Sequence, residues 1–279
     1  MAITHVFDRP PPGVADDWTM PQNRDQFSNE EHDRWDFLVS RQASAFADYA
    51  SQSFLDGLDV LRLSKPGIPD FDELNPLLDT ATGWRLVAVP GVIPNHAFFS
   101  HLAERRFPIA NFLRGADSLD YSDEPDMFHD LFGHVPMLTD PAFAEFLVSY
   151  GRAGLRAEKL GATDFLARLY LYTVEFGLVV EKGQLRGYGA GLLSSLSETV
   201  HALTSPDARR VHIDLPRVMQ TEYLFDEFQK IYFVVESFEQ LLRLTEETDF
   251  AKVYARLQDE PPLAPDAVHP GDRLCDAIQ

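Results

Sequence analysis

Phe128-His-Asp-Leu-Phe-Gly-His-Val-Pro136 contains the two residues on which the reading of this chain turns, His129 and His134. They stand five positions apart. On a regular α-helix that spacing carries the second side chain about 140° around the axis, so the two cannot share a face. Gly133 and Pro136 are residue types a chain uses to leave a helix. If the helix ends there, His134 can swing back toward His129. The alternative is one helix holding a core histidine and a capping histidine. Asp123, Glu124 and Asp126 make an acidic approach to the same stretch.

Glu175 bears on that choice. It lies in Phe165-Leu-Ala-Arg-Leu-Tyr-Leu-Tyr-Thr-Val-Glu-Phe-Gly-Leu-Val-Val180, an almost wholly apolar helical segment. A buried carboxylate costs several kcal/mol unless a cation, donor or metal compensates it. One compensation is an ion pair with Arg168, two turns earlier. The other makes Glu175 the third member of a set with His129 and His134. Two imidazoles and a carboxylate hold non-haem Fe(II) with open coordination positions, and the same set also holds catalytic zinc.

The rest of the chain frames these residues. A length of 279 residues, 45% hydrophobic and 24% charged, gives an ordinary globular protein with ample core. The formal charge of −20 argues against nucleic acid as a partner. No apolar run approaches the ~18 residues of a membrane span, the start has no secretory pattern, and the single Cys275 excludes a disulfide framework. The cytoplasm is the expected compartment. Residues 1–27 read as an irregular proline-rich arm, 28–260 as one catalytic domain and 261–279 as a tail.

A capping box at Ser28–Glu31 opens a long helical stretch through Leu58. A shorter helix follows the Lys65–Pro69 break, and Trp84–Val89 reads as a strand. Asn95 is expected to cap a helix to about Arg106, and residues 108–113 form a second short strand. Further helices start near Pro125, at Asp140-Pro141, at Thr163 (ending near Gly183) and at Ser237. The expectation is a mostly α protein with a few short β-strands.

Two weaker patterns compete. His212-Ile-Asp214 with His269 and Arg273 formally matches the H-x-D…H plus arginine set of 2-oxoglutarate oxygenases, but that chemistry uses a β-barrel. Gly187-Tyr-Gly-Ala-Gly191 lacks the spacing of a dinucleotide loop and reads as tight backbone near the site.

Glu124-Pro-Asp-Met-Phe-His-Asp-Leu-Phe-Gly-His-Val-Pro136 resembles the iron-binding signature of the pterin-dependent aromatic amino acid hydroxylases. So do Tyr172-Thr-Val-Glu-Phe-Gly-Leu178 and Tyr188-Gly-Ala-Gly-Leu-Leu-Ser-Ser195, in the family's order and approximate spacing. The resemblance runs from about Trp84 to Phe238. The length leaves no room for the regulatory domain of the animal members, and no heptad-like tetramerisation helix is visible at the C-terminus. The likeness is therefore to the short bacterial members, expected as monomers. It implies a helical-basket fold, Fe(II) and a tetrahydropterin as cofactors, and conversion of L-phenylalanine to L-tyrosine with O2.

By the same resemblance His129, His134 and Glu175 are the iron ligands, and Arg114 pairs with the substrate carboxylate through its fork of donors. Ser194 lies beside the substrate and a metal ligand, with Glu198 an acid close by. Phe98 stacks on the pterin, and Asp130 takes the place of a glutamate facing it. Leu171 stands where an aromatic is usual, four residues before Glu175, and predicts a roomier pocket with side activity on tryptophan. The readings left beside this one are a tryptophan hydroxylase of the same family and, outside it, a zinc hydrolase using the same three residues.

Overall fold

The computed structural model describes residues 9–119, 124–225 and 227–275. Helix α1 (Asn29–Phe46) opens on the expected capping box, with Ser28 and Glu31 satisfying each other's backbone amides. The apolar stripe that continues beyond it is broken rather than continuous. Ser51 caps a separate α2 (Gln52–Val60), whose Gly57 lies against Pro136 so closely that a Cβ would fall 2.2 Å from the Pro136 carbonyl oxygen. Helix α3 (Phe71–Thr82) ends at Gly83 in the left-handed conformation.

Strand β1 (Arg85–Val89), α4 (Asn95–Ala103) and β2 (Arg106–Ala110) form a βαβ unit with the two strands parallel, Arg85 opposite Arg106 and Val89 opposite Ala110. Asn95 is the first residue of α4 and makes no cap; Pro94 precedes it. The chain turns out of the helix at Arg105, whose φ is +57°, so β2 begins two residues earlier than expected. Pro108 is tolerated inside β2 because the second edge of this two-stranded sheet is unpaired.

The helix expected at Pro125 starts instead at Met127 and is wound as a π-helix from His129 to His134. Helix α5 (Pro141–Leu160) is capped by Asp140, which accepts from Ala142 and Phe143 amides. Helix α6 (Thr163–Tyr170) runs into a second π-helix, Leu171–Glu175. The helix read as reaching Gly183 stops there. Strands β3 (Leu178–Glu181) and β4 (Gln184–Gly187) follow as a hairpin. Lys182 and Gly183 both have positive φ, which suits a two-residue turn matching the strand twist.

After α7 (Ala190–Leu193) and α8 (Leu196–Thr204) come β5 (Arg209–His212), α9 (Leu215–Gln220) and β6 (Ile231–Val235). The second sheet has the order β4-β3-β6-β5. Helices α10 (Phe238–Glu247) and α11 (Phe250–Leu257) divide the single C-terminal helix expected from sequence, because Asp249 caps a new one.

One large apolar cluster, from Phe27 to Leu257, runs through the molecule and holds both π-helices. The N-terminal arm is tied to the body at Trp18 and Met20. Met20 donates its amide to the Ala88 carbonyl, and Trp18 is buried against Val89 and Ile93, with Phe98 packed on the same cluster. No helix among the described residues is long and apolar enough to cross a membrane.

Candidate active site

Asp126 is the fixed point from which the site is built. It is fully buried, and its Oδ1 accepts the His129 amide at 3.1 Å, capping the first turn. The Arg114 guanidinium grips the same carboxylate, Nη2 to Oδ1 at 2.6 Å and Nε to Oδ2 at 3.0 Å, and the Arg114 amide adds a bond of 2.8 Å. Burial alone would raise this carboxyl, but the Arg114 bonds hold it below its ordinary value. Two guanidinium nitrogens are thus committed to Asp126. Nη1 has no hydrogen-bond partner among the described residues, and the guanidinium lies 5.3 Å over the Phe128 ring.

The histidine pair meets without a break in the helix. A π-helix closes i→i+5 hydrogen bonds, here from the Val135 amide to the Asp130 carbonyl, and the fifth residue comes round nearly above the first. His129 Nε2 and His134 Nε2 stand 3.0 Å apart with the rings at 83°. Gly133 is needed for close approach rather than as a helix end: a Cβ there would lie 3.0 Å from the Ala190 Cβ and 3.1 Å from its carbonyl oxygen.

The second π-helix delivers Glu175 to the same point, with Oε1 3.2 Å from His134 Nε2 and Oε2 3.5 Å from His129 Nε2. The three donor groups lie within 4.8 Å of one another, forming the one such set among the described residues that could hold a metal ion. Arg168, the alternative partner, donates instead to the Met219 carbonyl at 3.1 Å.

The electrostatics suit a cation. Burial opposes charge on the His129 imidazole, yet the Glu175 carboxylate raises it to about 8. Burial would likewise lift Glu175, but the two imidazoles hold it far below the usual carboxylate range. Three converging donors, one of them anionic, are the chemistry of a divalent-metal site. Ser194 Oγ stands 3.2 Å from His129 Nδ1 and donates to the Gly191 carbonyl. With the hydroxyl proton directed to the Gly191 carbonyl, a Ser194 lone pair faces His129 Nδ1, the arrangement by which the partner of a metal-ligating histidine favours the proton on Nδ1 and leaves Nε2 for the ion.

Asp130 is buried; its Oδ2 accepts the Ala110 amide at 2.8 Å. Burial raises its carboxyl to about 6 against the pull of the two histidines. Phe98 meets Tyr170 edge-on at 5.6 Å, and Tyr170 lies 6.1 Å from the His134 ring. On a regular helix Leu171, four before Glu175, shares its face, and the alternative is that Tyr170 or Tyr172 fills the space there. The π-wound turn has five-residue spacing, as in the Phe176 amide bond to the Leu171 carbonyl. Of these side chains it is Tyr170 whose ring meets both Phe98 and His134. Asp126 was visible only as one of several acids; its position three residues before the His129 amide was the available signal.

Glu198 is buried, and its Oε1 accepts from the Tyr232 hydroxyl at 3.0 Å and the Gln229 amide at 3.2 Å. Those contacts lie toward β6 rather than toward the three converging donors. His212, Asp214, His269 and Arg273 do share a cleft of about 470 Å³ beside α9, but their donor atoms do not converge as a metal set. The Gly187–Gly191 segment lies against the site as expected. A Cβ on Gly189 would fall 2.2 Å from the Glu175 carbonyl oxygen.

The chain belongs to the biopterin-dependent aromatic amino acid hydroxylases, whose family pattern matches residues 18–257. It is 49% identical over 263 residues to the phenylalanine-4-hydroxylase of Chromobacterium violaceum, covering 94% of this chain and 88% of that one. The phenylalanine-4-hydroxylase of Caulobacter vibrioides is 48% identical over 265 residues, covering 95% and 90%. The crystal structure of the Chromobacterium violaceum phenylalanine hydroxylase bound to cobalt superposes with a TM-score of 0.91 at 49% identity, over 94% of each chain.

Proposed function

We propose that the protein is an iron- and tetrahydropterin-dependent monooxygenase that converts L-phenylalanine to L-tyrosine with O2. The observation that carries this reading is the convergence of His129, His134 and Glu175 beside Arg114. His129 and His134 would hold Fe(II) through Nε2 and Glu175 through its carboxylate, a set that leaves positions open for small molecules. Bound there, the iron together with the reduced pterin supplies the oxygen-activating chemistry.

The chain's own residues do the positioning. Arg114 meets the substrate carboxylate with the guanidinium edge that Asp126 leaves free, and Asp126 keeps that edge fixed. Phe98 and Tyr170 offer aromatic surface for the flat pterin, with the Asp130 carboxyl between them and β2. Ser194 holds the proton on His129 Nδ1. Phe107, 5.2 Å from the His134 ring, backs that side of the metal position with apolar surface.

The test is hydroxylation of phenylalanine by the Fe(II)-loaded protein with a synthetic tetrahydropterin under oxygen, with product identified by ring position. Tyrosine is expected, and with tryptophan supplied in place of phenylalanine turnover is expected to be lower. Oxygen-independent hydrolysis, or stoichiometric iron retained by both His129→Ala and His134→Ala, would refute the reading.

A further inference from the structure

Helix α1 contributes no residue to the converging set, yet it touches three of the segments around it. Arg34 Nη1 donates to the Arg114 carbonyl at 3.0 Å. The Trp35 ring meets Phe128, the residue before His129, edge-on at 5.7 Å. Two turns further on, Gln42 Nε2 donates to the Ser194 carbonyl at 2.9 Å. Trp35, Leu38 and Gln42 fall at i, i+3 and i+7 on one helical face, and all three are buried, Gln42 at 2% exposure.

A glutamine in that setting is notable because every other member of the stripe is apolar. Ser194 sits in the joint between α7 and α8, where its carbonyl belongs to neither helix ladder. Its hydroxyl direction follows from that peptide's orientation, and the hydroxyl is the group facing His129 Nδ1. A buried carbonyl left without a donor is costly and reorients toward another partner.

We propose that Gln42 is a positioning residue for the metal centre: it fixes the Ser194 peptide, and through the Ser194 hydroxyl it fixes the tautomer and tilt of His129. The proposal rests on the metal reading of the site given above. It predicts that removing the Gln42 amide weakens metal binding only through Ser194.

The experiment is Co(II) titration of the purified full chain, read by its visible absorption band as well as by affinity. Gln42→Met keeps the volume of the side chain and removes the donor. Loss of an outer-shell partner typically costs about 10–100-fold in metal affinity, so Ser194→Ala is expected at that level and Gln42→Met at about tenfold, with a shifted Co(II) band. In the Ser194→Ala background, Gln42→Met should add nothing further, because residues acting through one another are not additive. A role confined to general stability would instead lower affinity by the same factor in both backgrounds.

Gln42→Met binding Co(II) as the wild type does, or losses that multiply in full, overturns the proposal. If Gln42→Met does not fold, Gln42→Leu, which also lacks the donor, is titrated with the same two outcomes. His129→Ala separates the failures. Tight Co(II) binding retained there removes the metal reading and the proposal with it. Binding lost in His129→Ala but unchanged in Gln42→Met overturns the role of Gln42 alone.

Discussion

Arg114 is held by Asp126 and is proposed to meet the substrate carboxylate as well, and this governs which substitution is informative. Arg114→Ala would leave Asp126 buried without its cation, a loss of roughly 3–5 kcal/mol in fold stability that would obscure any effect on substrate. Arg114→Lys keeps the charge beside Asp126 and removes the planar fork. It should yield folded protein whose KM for phenylalanine rises about tenfold or more, corresponding to about 1.4 kcal/mol or more, with the pterin KM unchanged; steady-state kinetics in both substrates decides it. Glu198 supplies a second residue-level outcome. Burial raises its carboxyl above the ordinary 4.5, so the folded state binds this proton more tightly than the unfolded chain. The stabilisation is complete below 4.5 and is lost as pH rises through the raised value. Glu198→Gln keeps an oxygen for Tyr232 and Gln229, and should raise the melting temperature by about 2–4 °C at pH 8 and by less at pH 4. Equal shifts at both would rule this out. Of the residues around the metal set, those carried by long motifs were legible in the sequence: His129, His134, Glu175 and Ser194. Asp126 stands out there only as one of several acids, and Tyr170 only as one of two side chains that could fill the space beside Leu171. One acts through a backbone amide, which no side-chain pattern announces, and the other is displaced by one position in a turn that is not α.

Two π-helical turns bring all three donors together, and each is seated by a glycine on a neighbouring segment or on its own. Gly189 is the tighter case. Its φ of −69° suits any residue, so Gly189→Ala tests space alone. The added methyl would meet the Glu175 carbonyl oxygen at 2.2 Å. The expected cost is about 1–3 kcal/mol, together with loss of Co(II) binding as Glu175 is pushed out of register; unimpaired binding in a titration would contradict this. Elements announced by local chemistry matched their sequence signals: the Ser28–Glu31 box, the Asp140 cap and the Trp84–Val89 strand. Elements fixed by packing did not. The β3–β4 hairpin has an apolar first strand that continues the pattern of the preceding helix, and periodicity alone cannot separate a buried strand from a buried helix. The π-turns are invisible for a related reason: their sequence is ordinary apolar helix, and only tertiary contact widens the winding.

At the scale of the molecule, the helix-rich architecture with few strands follows from composition and capping signals, while the order of the strands in the second sheet depends on long-range pairing that no short window contains. A metal held by His129, His134 and Glu175 would also act at this scale. A ligand bound only by the folded chain stabilises it by about 2.7 kcal/mol at a hundredfold excess over Kd, or roughly 5–10 °C in melting temperature for a protein of this size. Scanning calorimetry with and without Co(II) should show that rise in the wild type and none in His134→Ala. The long separation between the first π-turn and Glu175 has a consequence for the order of events during biogenesis. His129 and His134 emerge from the ribosome forty-one or more residues ahead of Glu175, and the turn that pairs them takes its shape from segments made later still, including Ala190 and Ser194. A nascent or half-collapsed chain therefore offers no finished cage to a scavenging ion. A metal bound at these three residues is expected to enter after folding rather than to nucleate it, unlike small domains in which the ion drives the fold. Refolding rates followed by tryptophan fluorescence should accordingly be the same with and without Co(II), the absorption band growing in only after the fluorescence change is complete.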